Sequence, residues 1–121
     1  MSTLKVNDIV EATQGGGKIW PARAWVCFTS SGTVTINDDG NVSSLTDNGV
    51  GLITANFSNS LASANYCQTG QGAANNSDTS TLRGAETVKD YKLTSSMRNS
   101  YQNGLNTSRY DSENLSMQAV Q

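Results

Sequence analysis

The fold class is decided by residues 42–57, which read Val-Ser-Ser-Leu-Thr-Asp-Asn-Gly-Val-Gly-Leu-Ile-Thr-Ala-Asn-Phe. Asn48-Gly49 separates two runs that suit extended strands, and an Asn-Gly pair in that position is a strong local signal for a β-hairpin. The two-residue turn that such a pair favours is type I′, which needs positive φ at both central residues. We therefore predict two antiparallel strands joined by a type I′ turn at Asn48-Gly49.

Strand patterns continue on both sides of this hairpin. Residues Ala24 to Phe28 form a short, continuously apolar run, which predicts a central strand covered on both faces. Thr33 to Ile36 alternates with period two, and the turn-forming residues 37–41 follow it, so we expect a strand that enters a tight turn. Near the end, Leu115, Met117 and Ala119 alternate with polar residues, which predicts a closing strand with one buried face.

Three further strands are predicted, at Leu4–Val10, Ala64–Cys67 and Asp90–Met97. The polar stretches Gly70–Ser80 and Arg98–Glu113 have no periodicity and are predicted as loops. Several short strands separated by regular turn signals indicate an all-β fold, a small antiparallel β-sandwich or barrel-like domain.

The first twenty residues differ from the rest of the chain. The three glycines of Gly15-Gly16-Gly17 carry a high entropy cost of ordering and predict a hinge. We therefore divide the chain into an N-terminal attachment arm with a glycine-rich hinge, residues 1–20, and a β-sandwich-like domain, residues 21–121.

The composition predicts an oligomer. Leu, Ile, Val and Phe are scarce, while the net charge is only -2 and charged residues make up 15% of the 121 residues. The low charge argues against disorder, and the small apolar content predicts a thin core that gains burial at a subunit interface. We expect a homotrimer in which Trp25, Phe28 and Phe57 depend partly on neighbouring subunits.

Several functions lack support in the residues. No basic stripe is present to bind nucleic acid, and no stretch is long and apolar enough for membrane insertion. The chain has no histidine, so the commonest general base and metal ligand are missing; we expect no enzymatic activity, no metal and no cofactor. Cys27 and Cys67 are expected to be reduced and buried as small hydrophobic residues.

Aromatic residues supply the candidates for binding. Tyr101 and Tyr110 lie in a polar, turn-rich segment, where amphipathic rings often form contact surfaces, so they are the predicted binding residues. Ordinary packing at the rim of the domain is the alternative interpretation of both. Trp25 lies inside an apolar run, which favours core or interface packing over a sugar-stacking platform. Trp20, beside Pro21 at the hinge, fits either interpretation.

Six segments of the first 70 residues form a combined pattern, in the order 2–7, 22–28, 32–36, 41–49, 55–57 and 64–66. In this pattern the chain resembles a module of bacteriophage tail fibres and related virion appendages, particularly those of marine phages. Cys27 and the segment 98–113 depart from the pattern.

The resemblance implies a trimeric, β-rich appendage without catalytic residues, located in the virion. Other virion structural proteins of the tail or capsid are then the expected partners, together with a host surface glycan or receptor. A head decoration or cement protein and a tail adaptor are alternatives. A carbohydrate-binding module and a glycan depolymerase are minor ones.

Overall fold

The computed structural model describes residues 2–6, 21–72, 83–87, 91–103 and 109–121, with the backbone alone for 83–87 and 103. Within these ranges the chain forms eight β-strands and no α-helix. The strands are β1 (Ala22–Thr29), β2 (Thr35–Gly40), β3 (Val42–Asp47), β4 (Leu52–Phe57), β5 (Cys67–Gly72), β6 (Arg83–Thr87), β7 (Ser96–Asn103) and β8 (Leu115–Val120).

The strands form two antiparallel sheets. The first sheet has the order β2-β1-β8-β5 and the second has the order β3-β4-β7-β6. Apolar side chains from both sheets form one core cluster, to which β1, β4, β7 and β8 contribute most of the residues. The predicted all-β, sandwich-like fold is confirmed.

Alternation within the strands explains the core. On β1, Ala24, Val26 and Phe28 are buried, and on β8 the same is true of the predicted set Leu115, Met117 and Ala119. Successive side chains of a strand point to opposite faces, so each of these strands turns one face to the core. β8 therefore forms as predicted from its period-two pattern.

β1 is an inner strand, as predicted, but it is not covered on both faces by the described residues. Cys27 is exposed and Trp25 is half-buried, and both belong to the face that points away from the core. The continuous apolar run therefore did not predict correctly which faces of β1 are buried.

Phe28 and Phe57 are buried within one chain, so the prediction that their burial depends on neighbouring subunits is wrong. Phe28 has no exposed surface and packs edge-on against Tyr101, with ring centroids 5.8 Å apart. Phe57 is also buried and packs against Tyr66 in the same manner. Neither phenylalanine needs a neighbouring subunit for its burial.

The chain passes from the first sheet to the second at a single residue. Residues 37–40, predicted as a turn, belong to β2, and the corner is Asn41 with φ of 59°. Asparagine tolerates this left-handed conformation because its side chain bonds locally. Here the Asn41 amide donates to the carbonyls of Arg23 and Asn59, at 3.1 and 2.9 Å, and its oxygen accepts from the Asn59 N–H.

The predicted hairpin is confirmed as β3 and β4, but its turn is not type I′. Positive φ occurs at Gly49 and Gly51 and not at Asn48. The Leu52 N–H donates to the Gly49 carbonyl at 3.0 Å, which places Gly51 at the third position of a four-residue turn. Positive φ at that position is the arrangement of a type II turn.

Other strands are displaced from their predicted positions. The predicted strand Ala64–Cys67 ends where β5 begins, so the start of the predicted loop at Gly70 lies in a strand. The predicted strand Asp90–Met97 overlaps β7 only at its end, and residues 98–103, predicted as loop, continue β7. β6 was not predicted.

The N-terminal prediction is partly corrected. Residues 2–6 form no strand, and Leu4 and Val6 are exposed. The remainder of the predicted strand Leu4–Val10, the glycine hinge and Trp20 lie outside the described residues. The division of the chain between residues 20 and 21 stays a prediction.

Candidate binding face

Tyr101, one of the two predicted binding residues, is a core residue. Its side chain has no exposed surface, and its hydroxyl donates to the Ser116 carbonyl at 2.7 Å, which ties the second sheet to the first. Burial raises the pKa of the hydroxyl well above its ordinary value, since the interior disfavours the phenolate. The structure therefore corrects the prediction that Tyr101 contacts a ligand.

Tyr110 is half-buried and packs beside the end of β5. A Cβ placed on Gly72 would lie 2.0 Å from the Tyr110 hydroxyl oxygen, so the ring occupies space that only a glycine leaves open. The Tyr110 N–H donates to the Tyr101 carbonyl at 3.1 Å, and the next residue, Asp111, accepts from the Gly51 N–H at 2.9 Å. These bonds fix the backbone of Tyr110, and its recognition role stays a prediction.

The most distinctive surface is the outer face of the first sheet, which we call the Trp25 face. Its members alternate with core residues along β1, β5 and β8 and are Trp25, Cys27, Cys67, Thr69, Gln71, Ser116, Gln118 and Val120. Strand register aligns these side chains in rows across the sheet, and Gly40 and Asp38 of β2 extend two of the rows. One row is Gly40, Trp25, Gln118 and Thr69, and the next is Asp38, Cys27, Ser116 and Gln71.

Two shallow depressions lie on this side of the sheet. One has a volume of about 360 Å³ and is lined by Trp25, Thr69 and Gln118 among others. The second has a volume of about 350 Å³ and includes Asn37 and Asn114. Cys27, Gln71 and Ser116 line both depressions, so the two are continuous.

Trp25 is positioned by the glycine opposite it on β2. A Cβ on Gly40 would lie 2.2 Å from the Trp25 Nε1 and within 2.9 Å of two ring carbons. The indole therefore packs directly against the Gly40 backbone, where an aromatic ring covers the surface that the glycine leaves bare. This contact holds the ring at the border between β1 and β2.

Cys27 and Cys67 both lie on the Trp25 face, exposed and unpaired, so the prediction that they are buried is wrong. Their strand partners on β8 are Ser116 and Val120, four residues apart. With a rise of about 3.4 Å per residue and strands about 4.8 Å apart, the two cysteines are separated by roughly 16 Å. A disulfide needs Cα atoms less than about 7 Å apart, so one chain cannot pair them in this fold.

The outer face of the second sheet has a different character. The Arg98 guanidinium lies 3.5 Å from the centroid of the Tyr91 ring, and its Nε donates to the Thr54 hydroxyl at 2.8 Å. Arg109 donates to the Ser100 hydroxyl on the same side of the sheet, at 3.2 Å. This face thus carries positive charge within a network of hydrogen bonds.

In the described ranges, no group of three or more His, Cys, Asp and Glu side chains is arranged to hold a metal ion. Among those same residues, no helix has the length and apolar character needed to cross a membrane.

Comparison with known proteins finds no matching family model, no matching curated protein and no matching solved structure. The resemblance to phage appendage modules therefore stays a prediction from the sequence.

The sequence of β8 contains a signal for the Trp25 face. In β8, polar Ser116 and Gln118 alternate with the buried residues and mark an outer face. Trp25 and Cys27 occupy the same rows on β1, but their apolar character hid the alternation. Only the pairing of β1 with β8 places the four side chains side by side.

Proposed function

We propose that this chain is a non-enzymatic structural protein of a bacteriophage particle, a homotrimeric β-sandwich module of a tail fibre or other appendage that takes part in host attachment. The observation that carries the proposal is the Trp25 face, which presents a half-buried tryptophan and two exposed cysteines on an ordered sheet. Such residue types are usually buried, so the face has the character of an assembly surface. The resemblance of the first 70 residues adds the virion context.

The chemistry of the buried hydroxyls supports a structural role. Tyr66 and Tyr101 both have a raised pKa, caused mainly by burial. Each hydroxyl bonds to backbone carbonyls, Tyr66 to those of Leu93 and Ser96 and Tyr101 to that of Ser116. These groups join segments of the fold, and a perturbed pKa at such positions follows from packing.

Attachment to other virion proteins is assigned to the N-terminal arm. Leu4 is 86% exposed and Val6 is 51% exposed, so both side chains are free to contact a partner surface. Host recognition is assigned to the surroundings of Tyr110, which is half-buried beside the end of β5.

The proposal is tested on purified particles. Mass spectrometry should find the chain in the particle, and antibody labelling in electron micrographs should place it on the tail. Labelling of the head would support the alternative of a decoration or cement protein. Absence from particles that carry all their other structural proteins would reject the proposal.

Host attachment is tested separately with the purified protein. The protein should bind host cells and should delay adsorption of the phage by competing for its receptor. Binding to tails or capsids without binding to cells would instead assign it to a tail adaptor or cement role.

A further inference from the structure

We infer that the Trp25 face is the surface through which copies of this chain contact one another. The inference deepens the proposed homo-oligomer and rests on it, since it names the interface. It is independent of where on the particle the protein is located.

Residue types give the first argument. Cysteine and tryptophan are among the side chains that folded proteins most consistently remove from water. Here both cysteines are exposed and Trp25 is half-buried, and all three share one sheet face. The described residues of one chain leave this face uncovered, so it is available to a second protein surface.

Charge favours another copy as the second surface. The two central rows contain eight residues, of which Asp38 alone is charged, and it lies on the edge strand β2. The exposed Arg23 lies just before these rows on β1, so the charges nearest to them are opposite in sign. Identical chains that pack the same face around a symmetry axis bring identical groups together, and a nearly neutral face can do so without repulsion.

The outer face of the second sheet, on the opposite side of the sandwich, is not nearly neutral. Arg98 and Arg109 both lie on the outer face of the second sheet, where two copies in contact would bring like charges together. The polar members of the Trp25 face, such as Gln118, Gln71 and Thr69, carry both donors and acceptors and can bond to the same groups on a second copy.

Gln118 provides the test, because it is exposed and lies between Trp25 and Thr69 in the central row. Gln118→Arg places an unpaired charge in the interface without changing the core. Light scattering after size exclusion should find the wild type as an oligomer, and the dissociation constant of Gln118→Arg should be at least about tenfold higher. Circular dichroism should be unchanged.

Thr46→Arg is the matched control. Thr46 is also exposed on a strand, but on the outer face of the second sheet. This variant should keep the oligomeric state of the wild type. If Gln118→Arg is as oligomeric as the wild type, or if Thr46→Arg dissociates instead, the interface lies elsewhere and the inference is rejected.

Cysteine labelling gives an independent measurement. In a Cys67→Ser background, Cys27 should react with maleimide at least about tenfold more slowly in the oligomer than in the Gln118→Arg variant, since burial blocks access to the thiol. Equal rates, with the wild type still oligomeric, would place Cys27 outside the interface.

A monomeric wild type would reject both the inference and the proposed trimer, and the particle-localisation experiment would still test the rest of the proposed function. In a monomer, slow labelling of Cys27 would mean that another part of the same chain covers the face. Quenching of tryptophan fluorescence by soluble glycans, in a monomer with a reactive Cys27, would assign the face to a sugar ligand.

Discussion

At the scale of single residues, buried hydroxyls bind the two sheets and the connecting segments together. Tyr66 lies outside any strand and is 3% exposed, with Phe57 against its ring and the Lys92 ammonium 5.1 Å from the ring centroid. Its hydroxyl donates to the carbonyls of Leu93 and Ser96, at 3.0 and 3.1 Å, and so holds the segment that leads into β7.

Tyr66 makes stability depend on pH in alkaline solution. Burial raises its pKa from 10.0 to about 12, so the folded chain keeps the proton between these values while the unfolded chain releases it. The contribution is complete below pH 10 and is lost as the pH rises towards 12. We expect the free energy of unfolding, measured by urea denaturation, to fall between pH 10 and pH 11.5.

Tyr66→Phe tests the assignment of this pH dependence. The variant should lose about 1–2 kcal/mol at pH 7 because the carbonyls of Leu93 and Ser96 lose the hydroxyl as a donor. Its alkaline decline should be shallower, with the remainder due to Tyr101, whose pKa burial also raises. An unchanged slope would show that Tyr66 does not cause the decline.

Trp25 should contribute less to the stability of one chain than a buried tryptophan does. Its ring is half-buried and rests on Gly40. Truncation of a fully buried tryptophan costs about 3–5 kcal/mol, and we expect Trp25→Ala to cost about 1–2 kcal/mol in the Gln118→Arg background. A larger loss, measured by urea denaturation in that background, would mean that other parts of the same chain bury the ring.

At the scale of elements, the hairpin turn carries a specific requirement for glycine. Gly51 has φ of 62°, and a Cβ there would lie 2.7 Å from the carbonyl oxygens of Tyr101 and Tyr110. The Gly51 carbonyl also accepts from the Tyr101 N–H at 2.7 Å. The turn thus joins β7 and the segment before β8, and the backbone leaves no space for a side chain.

Gly32 offers a matched control for this turn. It also has positive φ, 78°, but a Cβ there would meet no atom within 4 Å. Gly32→Ala should cost about 1 kcal/mol, the usual strain of a left-handed alanine, whereas Gly51→Ala should cost at least about 2 kcal/mol more. Equal losses in thermal denaturation would mean that the turn moves to accommodate the methyl group.

At the scale of the whole molecule, the core that the structure describes lies within the β domain. Its buried apolar residues all fall between Ala24 and Ala119.

A truncated chain that starts at Pro21 should fold, because it retains every core residue found in the described ranges. Its circular dichroism and melting temperature should match those of the full chain, while its incorporation into particles should be lost if the arm attaches the domain. An unfolded truncated chain would make the arm part of the domain. Normal incorporation would place attachment elsewhere, first in the C-terminal half.

The fold class, the hairpin of β3 and β4, and the strands β1 and β8 could be predicted from the sequence. Their signals are local, since alternation over a few residues or an Asn-Gly pair between two runs is sufficient. The same local reasoning failed for β5, whose sequence Cys-Gln-Thr-Gly-Gln-Gly has no apolar pattern. That segment becomes a strand because its backbone pairs along its full length with β8.

The side of each strand that faces the core, and the residues that meet on the outer faces, depend on how the strands pair and pack. Tyr101 appeared to be a surface residue because its neighbours are polar, but the pairing of β7 between β4 and β6 turns its ring inward onto Phe28. Trp25 and Cys27 appeared to be core residues, but the pairing of β1 with β8 aligns them with Gln118 and Ser116 on the outer face. Burial depends on contacts between strands far apart in the chain, and a local pattern does not contain them.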